Sequence, residues 1–172
     1  ALGFVAGFMG DGLEKSLNDM GLKTDFVHLP DGQTRVNVKI KAGEETEING
    51  QGPHIDDEAL AALMERVDAI TDGDTIIIAG NVPNTMPDDI YERILARLDG
   101  RDVRIVVDAT KQLLVNALKF KPFLIKPNRQ ELTELFGVEV KSAEDTEFYA
   151  RRLQEMGARN VLVSLGGEGA ML

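Results

Sequence analysis

The sequence predicts an α/β fold: an open parallel sheet with helices on both faces, carrying a small antiparallel ribbon. Three observations predict it. From Thr75 onward, short continuous apolar runs alternate with segments of helical period, the signature of buried parallel strands and their crossover helices. Over Thr34–Lys41 the period drops to two, with Val36, Val38 and Ile40 between Arg35, Asn37, Lys39 and Lys41. The distinctive polar residues fall where the apolar runs stop, at the edge of a parallel sheet where ligands bind.

Each element follows from local chemistry. Leu2–Ala6 is an apolar run between glycines and reads as a buried strand. Gly10, Asp11 and Gly12 lead into a helix over about 13–20, ended by Gly21. Asp25–Leu29 is a second short strand, and Pro30-Asp31-Gly32 a turn. The period-two strand turns at Gly43 and returns through Glu45–Asn49, giving a half-exposed ribbon over about 25–50 that serves as a lid, a dimer contact or a solvated hairpin. Asp56, Asp57 and Glu58 open a helix whose Leu60, Leu63, Met64, Val67 and Ile70 share one face.

Three strand–helix units follow over about 74–172. Thr75–Ala79 leads through Gly80-Asn81-Val82-Pro83 to a helix with Ile90, Ile94, Leu95 and Leu98 inward. Val103–Val107 leads through Asp108 to a helix over Gln112–Leu118. Phe123–Lys126 leads to a helix opened by Asn128. Ser142, with Asp145 three residues on, caps a longer helix to about Met156, and Asn160–Ser164 is a last strand before Gly166-Gly167-Glu168-Gly169.

Both ends of the sequence read as interior. Ala1–Gly7 begins inside a strand, and Gly169–Leu172 stops as a second hairpin strand begins, so the 172 residues are expected to be the central part of one longer domain.

Composition narrows the function. Apolar residues make 43% and charged residues 28% of the chain, an ordinary globular balance. A net charge of −10 without a Lys/Arg cluster argues against nucleic acid or an anionic membrane as partner, and an anionic ligand must be met by locally placed cations. Cysteine is absent, which removes disulfides and thiol chemistry and fits a reducing cytoplasm. No apolar run is long enough to span a bilayer. His28 and His54 lack partners at zinc-ligand spacing, and there is no Gly-x-Ser-x-Gly elbow.

Aligning the strand ends brings Gly80-Asn81, Asp108, Lys126-Asn128-Glu131 and Ser164 with its glycines onto one edge. The stretch Lys126-Pro127-Asn128-Arg129-Gln130-Glu131 is the densest. Asn128 and Glu131 have two roles open to them, a reciprocal helix cap worth about 1 kcal/mol and a ligand site. The turn through Leu165, Gly166, Gly167, Glu168 and Gly169 is either a hairpin turn or a loop where backbone approaches a nucleotide. Lys126 beside the carboxylates of Asp108 and Glu131 suits a polyphosphate with Mg²⁺, held through water. Arg35, on the polar face of the ribbon, has the fork to grip a phosphate or else is an exposed strand cation.

With those residues in hand the chain resembles the PfkB (ribokinase-like) carbohydrate kinases, and most closely their 1-phosphofructokinase branch. The matching segments are Asp31–Val38, Glu45–Gly50, Val107-Asp108, Ile125–Leu132 and Val163–Ala170, in the family's order along nearly the whole chain. The resemblance implies a ribokinase-like fold with a β lid and ATP-dependent phosphorylation of a sugar phosphate, fructose 1-phosphate first and tagatose 6-phosphate as the alternative. It implies Arg35 and Asn37 at the sugar's phosphate and Asn81 at the sugar. Lys126, Asn128 and Ser164–Gly169 line ATP, Glu131 and Asp108 organise Mg²⁺, and the lid joins two copies as a homodimer. A non-catalytic sugar-phosphate or nucleotide sensor is the reading of another class.

The chain departs from the family pattern in three places. Asn81 stands where Ser is common, and Thr110-Lys111 where Ser-Gly is usual. The Gly-Gly-x-x-x-Asn segment is expected before Ala1, and the Gly-Ala-Gly-Asp segment with the catalytic base after Leu172. A positioned base is worth about 10²–10⁴ in rate, so these 172 residues alone are expected to be inactive.

Overall fold

The computed structural model describes every residue except Asn81, Asn84, Thr85 and Thr110, and gives backbone without side-chain detail at Glu44, Glu45 and Lys111. The chain divides into two compact units, residues 1–69 with 83–87 and residues 70–82 with 88–172.

In the first unit β1 (Phe4–Ala6) pairs in parallel with β2 (Val27–Leu29), joined through α1 (Gly7–Asp19). The helix begins six residues earlier than the glycines predict. Gly10 is not a lead-in but a buried helix position: a Cβ there would stand 2.9 Å from Val5 Cβ and 2.8 Å from Thr34 Oγ1. Glycine is needed for that close approach. The helix start is completed from a distance, because Met9 N donates to Gln33 Oε1 at 3.2 Å and Ala6 N to Thr34 Oγ1 at 2.8 Å.

β3 (Asn37–Ala42) and β4 (Glu44–Asn49) form the antiparallel ribbon, in register from Asn37–Asn49 to Ala42–Glu44. Val38 faces Ile48, and Lys39 is ion-paired to Glu47 at 2.5 Å. The expected half-burial is not found. Val36, Val38, Ile40 and Ile48 are all exposed, so the apolar side of the ribbon is uncovered among the described residues. Alternation reports a two-faced strand; it does not say what covers the apolar face.

α2 (Asp57–Asp68) is capped by Asp56, whose side chain accepts from Ala59 N at 2.8 Å. Of the predicted face, Leu60 and Ile70 are only half-buried, and Ile70 lies past the helix end; α2 buries Ala59, Leu63, Met64 and Val67. With Ala6, Val27, Leu29 and Ile55 these positions make the unit's core, joined by Met86.

The second unit holds a parallel sheet of β5 (Thr75–Ala79), β6 (Arg104–Asp108) and β7 (Leu124–Ile125), in that order. The ladder continues beyond the named strands. Ile125 N donates to Asn160 O, Leu162 N to Ile125 O and Ser164 N to Pro127 O, so the predicted strand 160–164 lies alongside in parallel. Its end, β8 (Val163–Ser164), pairs antiparallel with β9 (Ala170–Met171), the hairpin the sequence predicts.

The helices are α3 (Ile90–Leu98), α4 (Lys111–Leu118), α5 (Arg129–Phe136) and α6 (Ala143–Glu155). Ile90, Ile94, Leu95 and Leu98 are buried as their spacing requires. Val107, Ile125, Leu132, Leu153 and Val163 are fully buried, one each from β6, β7, α5, α6 and β8. Each such side chain contributes about 1.5–3 kcal/mol of apolar transfer. Among the described residues, no helix is long and apolar enough to cross a membrane.

Candidate functional site

Parallel registry fixes which strand ends meet. Ala79 is opposite Asp108 and Val107 opposite Ile125, so Asp108 closes β6 just where Lys126 leaves β7. Lys126 N donates to Val107 O at 3.1 Å, and its Nζ lies 3.1 Å from Asp108 Oδ2. Both side chains are about two-fifths exposed, at 41% and 39%. A pair this wet adds only about 0–1 kcal/mol to stability, so the ammonium and carboxylate remain available to solvent and ligand.

Sequence reasoning overlooked Tyr91. It is buried on α3, and its hydroxyl donates to Gly80 O at 2.9 Å. Burial, and then the Asp108 charge, hold that hydroxyl above the ordinary tyrosine range. Gly80 sits at φ +102°, so the carbonyl that Tyr91 fixes belongs to a turn only glycine adopts readily. The signal in the sequence was an aromatic on the apolar stripe of α3, at i, i+3, i+4 and i+7 with Ile94, Leu95 and Leu98. Asn81, the next residue, and Thr110 lie outside the described residues.

At the start of α5 the capping box is complete. Asn128 Oδ1 accepts from Glu131 N at 2.8 Å, and Glu131 Oε2 accepts from Asn128 N at 2.8 Å. The box occupies one oxygen of each side chain and leaves Asn128 Nδ2 and Glu131 Oε1 outside it. Capping and ligand binding are therefore compatible roles. The box also holds both groups rigid beside a helix N-terminus, where anions are favoured.

Ser164 is brought to the same place by its bridge to Asn128, its hydroxyl 3.5 Å from Pro127 O. Beyond it Gly166–Glu168 form one 3₁₀ turn, closed by a 2.8 Å bond from Leu165 N to Gly169 O. Gly166 and Gly169 have φ of +61° and +95°, and a Cβ on Gly166, Gly167 or Gly169 would meet nothing within 4 Å. Among the described residues, nothing fills the space beside this turn. Both readings of the turn survive, since it closes a hairpin and leaves open room.

Arg129 was also overlooked. Its Nη2 donates to Glu168 Oε2 at 3.0 Å, while its Nε is buried with no hydrogen-bond partner. A buried donor left without a partner costs about 1–3 kcal/mol. The only signal in the sequence was a cation between an N-cap and its N3 Glu.

Arg35 and Asn37 belong to the first unit and meet each other, with Arg35 Nε donating to Asn37 Oδ1 at 2.9 Å. Gly52 backs the arginine, since a Cβ there would lie 3.3 Å from Arg35 Cβ. Among the described residues no three His, Cys, Asp or Glu side chains gather as a metal cage. A Mg²⁺ that keeps its waters and takes oxygens from a bound polyphosphate needs only one or two carboxylates, which Asp108 and Glu131 fit.

Comparison with known proteins bears on the family and the fold. A model of the pfkB family carbohydrate kinases matches residues 1–172. The chain is 44% identical to a protein of Bacillus subtilis named 1-phosphofructokinase, over all of this chain and 56% of that one. It is 33% identical to a D-tagatose-1-phosphate kinase of Bacillus licheniformis, over 99% of this chain and 56% of that one. Phosphofructokinase-2 from Escherichia coli, solved in complex with fructose-6-phosphate, superimposes with a TM-score of 0.86 at 26% identity, covering 99% of this chain and 57% of that one. The same enzyme has been solved in a tetrameric inhibited form. The chain spans a little over half the length of the curated relatives it matches.

Proposed function

Because the chain belongs to the pfkB family of carbohydrate kinases, we propose that the whole protein transfers the γ-phosphoryl group of ATP to a sugar phosphate. Fructose 1-phosphate is the proposed acceptor and fructose 1,6-bisphosphate the product. The observation that carries this is Lys126, half exposed at the carboxyl edge of the sheet, with Nζ 3.1 Å from the carboxylate that ends the neighbouring strand.

Lys126 and Asn128 Nδ2 face the ATP phosphates in this reading. Asp108 holds the lysine through Oδ2, so the cation is aimed before the nucleotide arrives. Ser164 through Gly169 line the rest of the nucleotide, in the open space beside the turn. Glu131 and Asp108 are the carboxylates that would hold Mg²⁺. When bound, that ion neutralises charge on the phosphates being transferred. Arg35, oriented by Asn37, takes the phosphate already on the sugar, and Asn81 contacts the sugar itself. The exposed apolar face of the β3–β4 ribbon supports its use as a lid and as the contact between two copies. The proposed setting is the cytoplasm.

A coupled assay of the whole protein with ATP and fructose 1-phosphate tests the proposal. Turnover should require the phosphorylated sugar and Mg²⁺, and Lys126→Ala should lower kcat/KM about 10²-fold or more. Equal turnover of free fructose sinks the sugar-phosphate assignment. Tight binding of both ligands without turnover returns the protein to the sensor class. A tagatose phosphate is the second acceptor to try, because the chain also matches a D-tagatose-1-phosphate kinase.

A further inference from the structure

The base of the Gly-rich turn is closed by the 2.8 Å bond from Leu165 N to Gly169 O, but its tip is held less firmly. Two of its backbone bonds are long, Glu168 N to Leu165 O at 3.3 Å and Gly169 N to Gly166 O at 3.2 Å. Its glycines carry no side chains to pack. A side-chain tie to the rest of the unit comes from 39 residues earlier: Arg129, the first residue of α5, bonds through Nη2 to Glu168 at 3.0 Å. The two ends of this tie differ. Glu168 is 68% exposed, whereas the Arg129 side chain is 28% exposed with Nε buried and unbonded. A guanidinium is planar, so fixing one end of its fork fixes the direction of the other. Arg129 gives up one donor to hold that direction.

We propose that Arg129 is a positioning residue for the nucleotide. Through Glu168 it sets the distance between the Gly166–Gly169 turn and the N-terminus of α5, where Lys126 and Asn128 stand. This inference rests on reading the edge as an ATP site. It adds that beyond the backbone bridge from Ser164 to Asn128, which fixes the base of the turn, the tip of the turn is held toward the helix start by this ion pair. An ordinary surface pair shifts melting temperature slightly and does nothing selective to either substrate.

The test uses the whole protein and the variants Arg129→Gln, Glu168→Gln and Arg129→Lys. Hydrogen exchange of the Leu165, Glu168 and Gly169 amides, measured without nucleotide, should speed up several-fold in the two Gln variants, and Arg129→Lys, which keeps the charge without the planar fork, should restore protection only in part. KM for ATP should rise about threefold to fivefold, the most an exposed pair supplies, while KM for fructose 1-phosphate stays unchanged. Unchanged exchange in the turn overturns the positioning role, and so does an equal rise in both KM values. If wild-type protein fails to bind ATP, the nucleotide reading falls, and the exchange data still decide whether Arg129 holds the turn.

Discussion

Tyr91 and Asn128 illustrate how single side chains serve two ends. The Tyr91 hydroxyl holds the Gly80 carbonyl and is itself held neutral, chiefly by burial and then by the nearby Asp108 charge. Its folded pKa is raised, so its contribution to stability is fully present below the ordinary tyrosine value of 10.0 and is lost as pH rises through the raised value. Tyr91→Phe should cost about 1 kcal/mol at neutral pH for the lost hydrogen bond. Urea unfolding of both proteins above pH 10 should show the gap closing, and a constant gap contradicts the assigned cause. Asn128 was legible in the sequence as a cap because Asn and Glu stand three apart; its place beside Ser164 was not, because that needs the ladder across 36 residues of chain.

Helices are where local chemistry predicts best. α6 begins at Ser142 as its capping box requires, with Asp145 N donating to Ser142 Oγ at 3.0 Å and Asp145 Oδ2 accepting from Ser142 N at 3.1 Å. Ser142→Ala should destabilise the fold by about 1 kcal/mol in equilibrium unfolding. The bond from the Ser142 amide holds the Asp145 carboxyl below its ordinary value of 3.8, so this stabilisation is present above that pH and lost as pH falls through the lowered value. Acid unfolding of Asp145→Asn should therefore show a shallower pH dependence than wild type; parallel curves count against the cap. α1 is the opposite case. Its glycines read as a lead-in, since glycine is a poor helix former, and only the approach of Val5 and Thr34 explains Gly10 inside the helix. The ribbon was likewise half legible. Its alternation gave two strands turning at Gly43, and the register that sets Val38 opposite Ile48 and the exposure of that face had to come from the structure.

Across the whole molecule the charge pattern and the division into units bear on specificity. With a net charge of −10, anionic substrates are drawn only by local cations, and those assigned lie in different units, Arg35 in the first and Lys126 in the second. Arg35→Ala in the whole protein should raise KM for the phosphorylated sugar about tenfold or more and leave KM for ATP unchanged, as the loss of one charge-assisted bond predicts. Steady-state titration of each substrate checks this, and equal effects on both count against the assignment.

Read alone, the sequence determined the elements and the family resemblance: apolar runs, helical stripes and capping residues are short-range, and each is written within a few neighbouring positions. The tertiary structure alone decided which groups touch. The bond from Lys126 to Asp108, the tie from Arg129 to Glu168 and the tyrosine under Gly80 each join different elements, and such contacts form only when strands, helices and turns pack together, which the spacing within any one element does not fix.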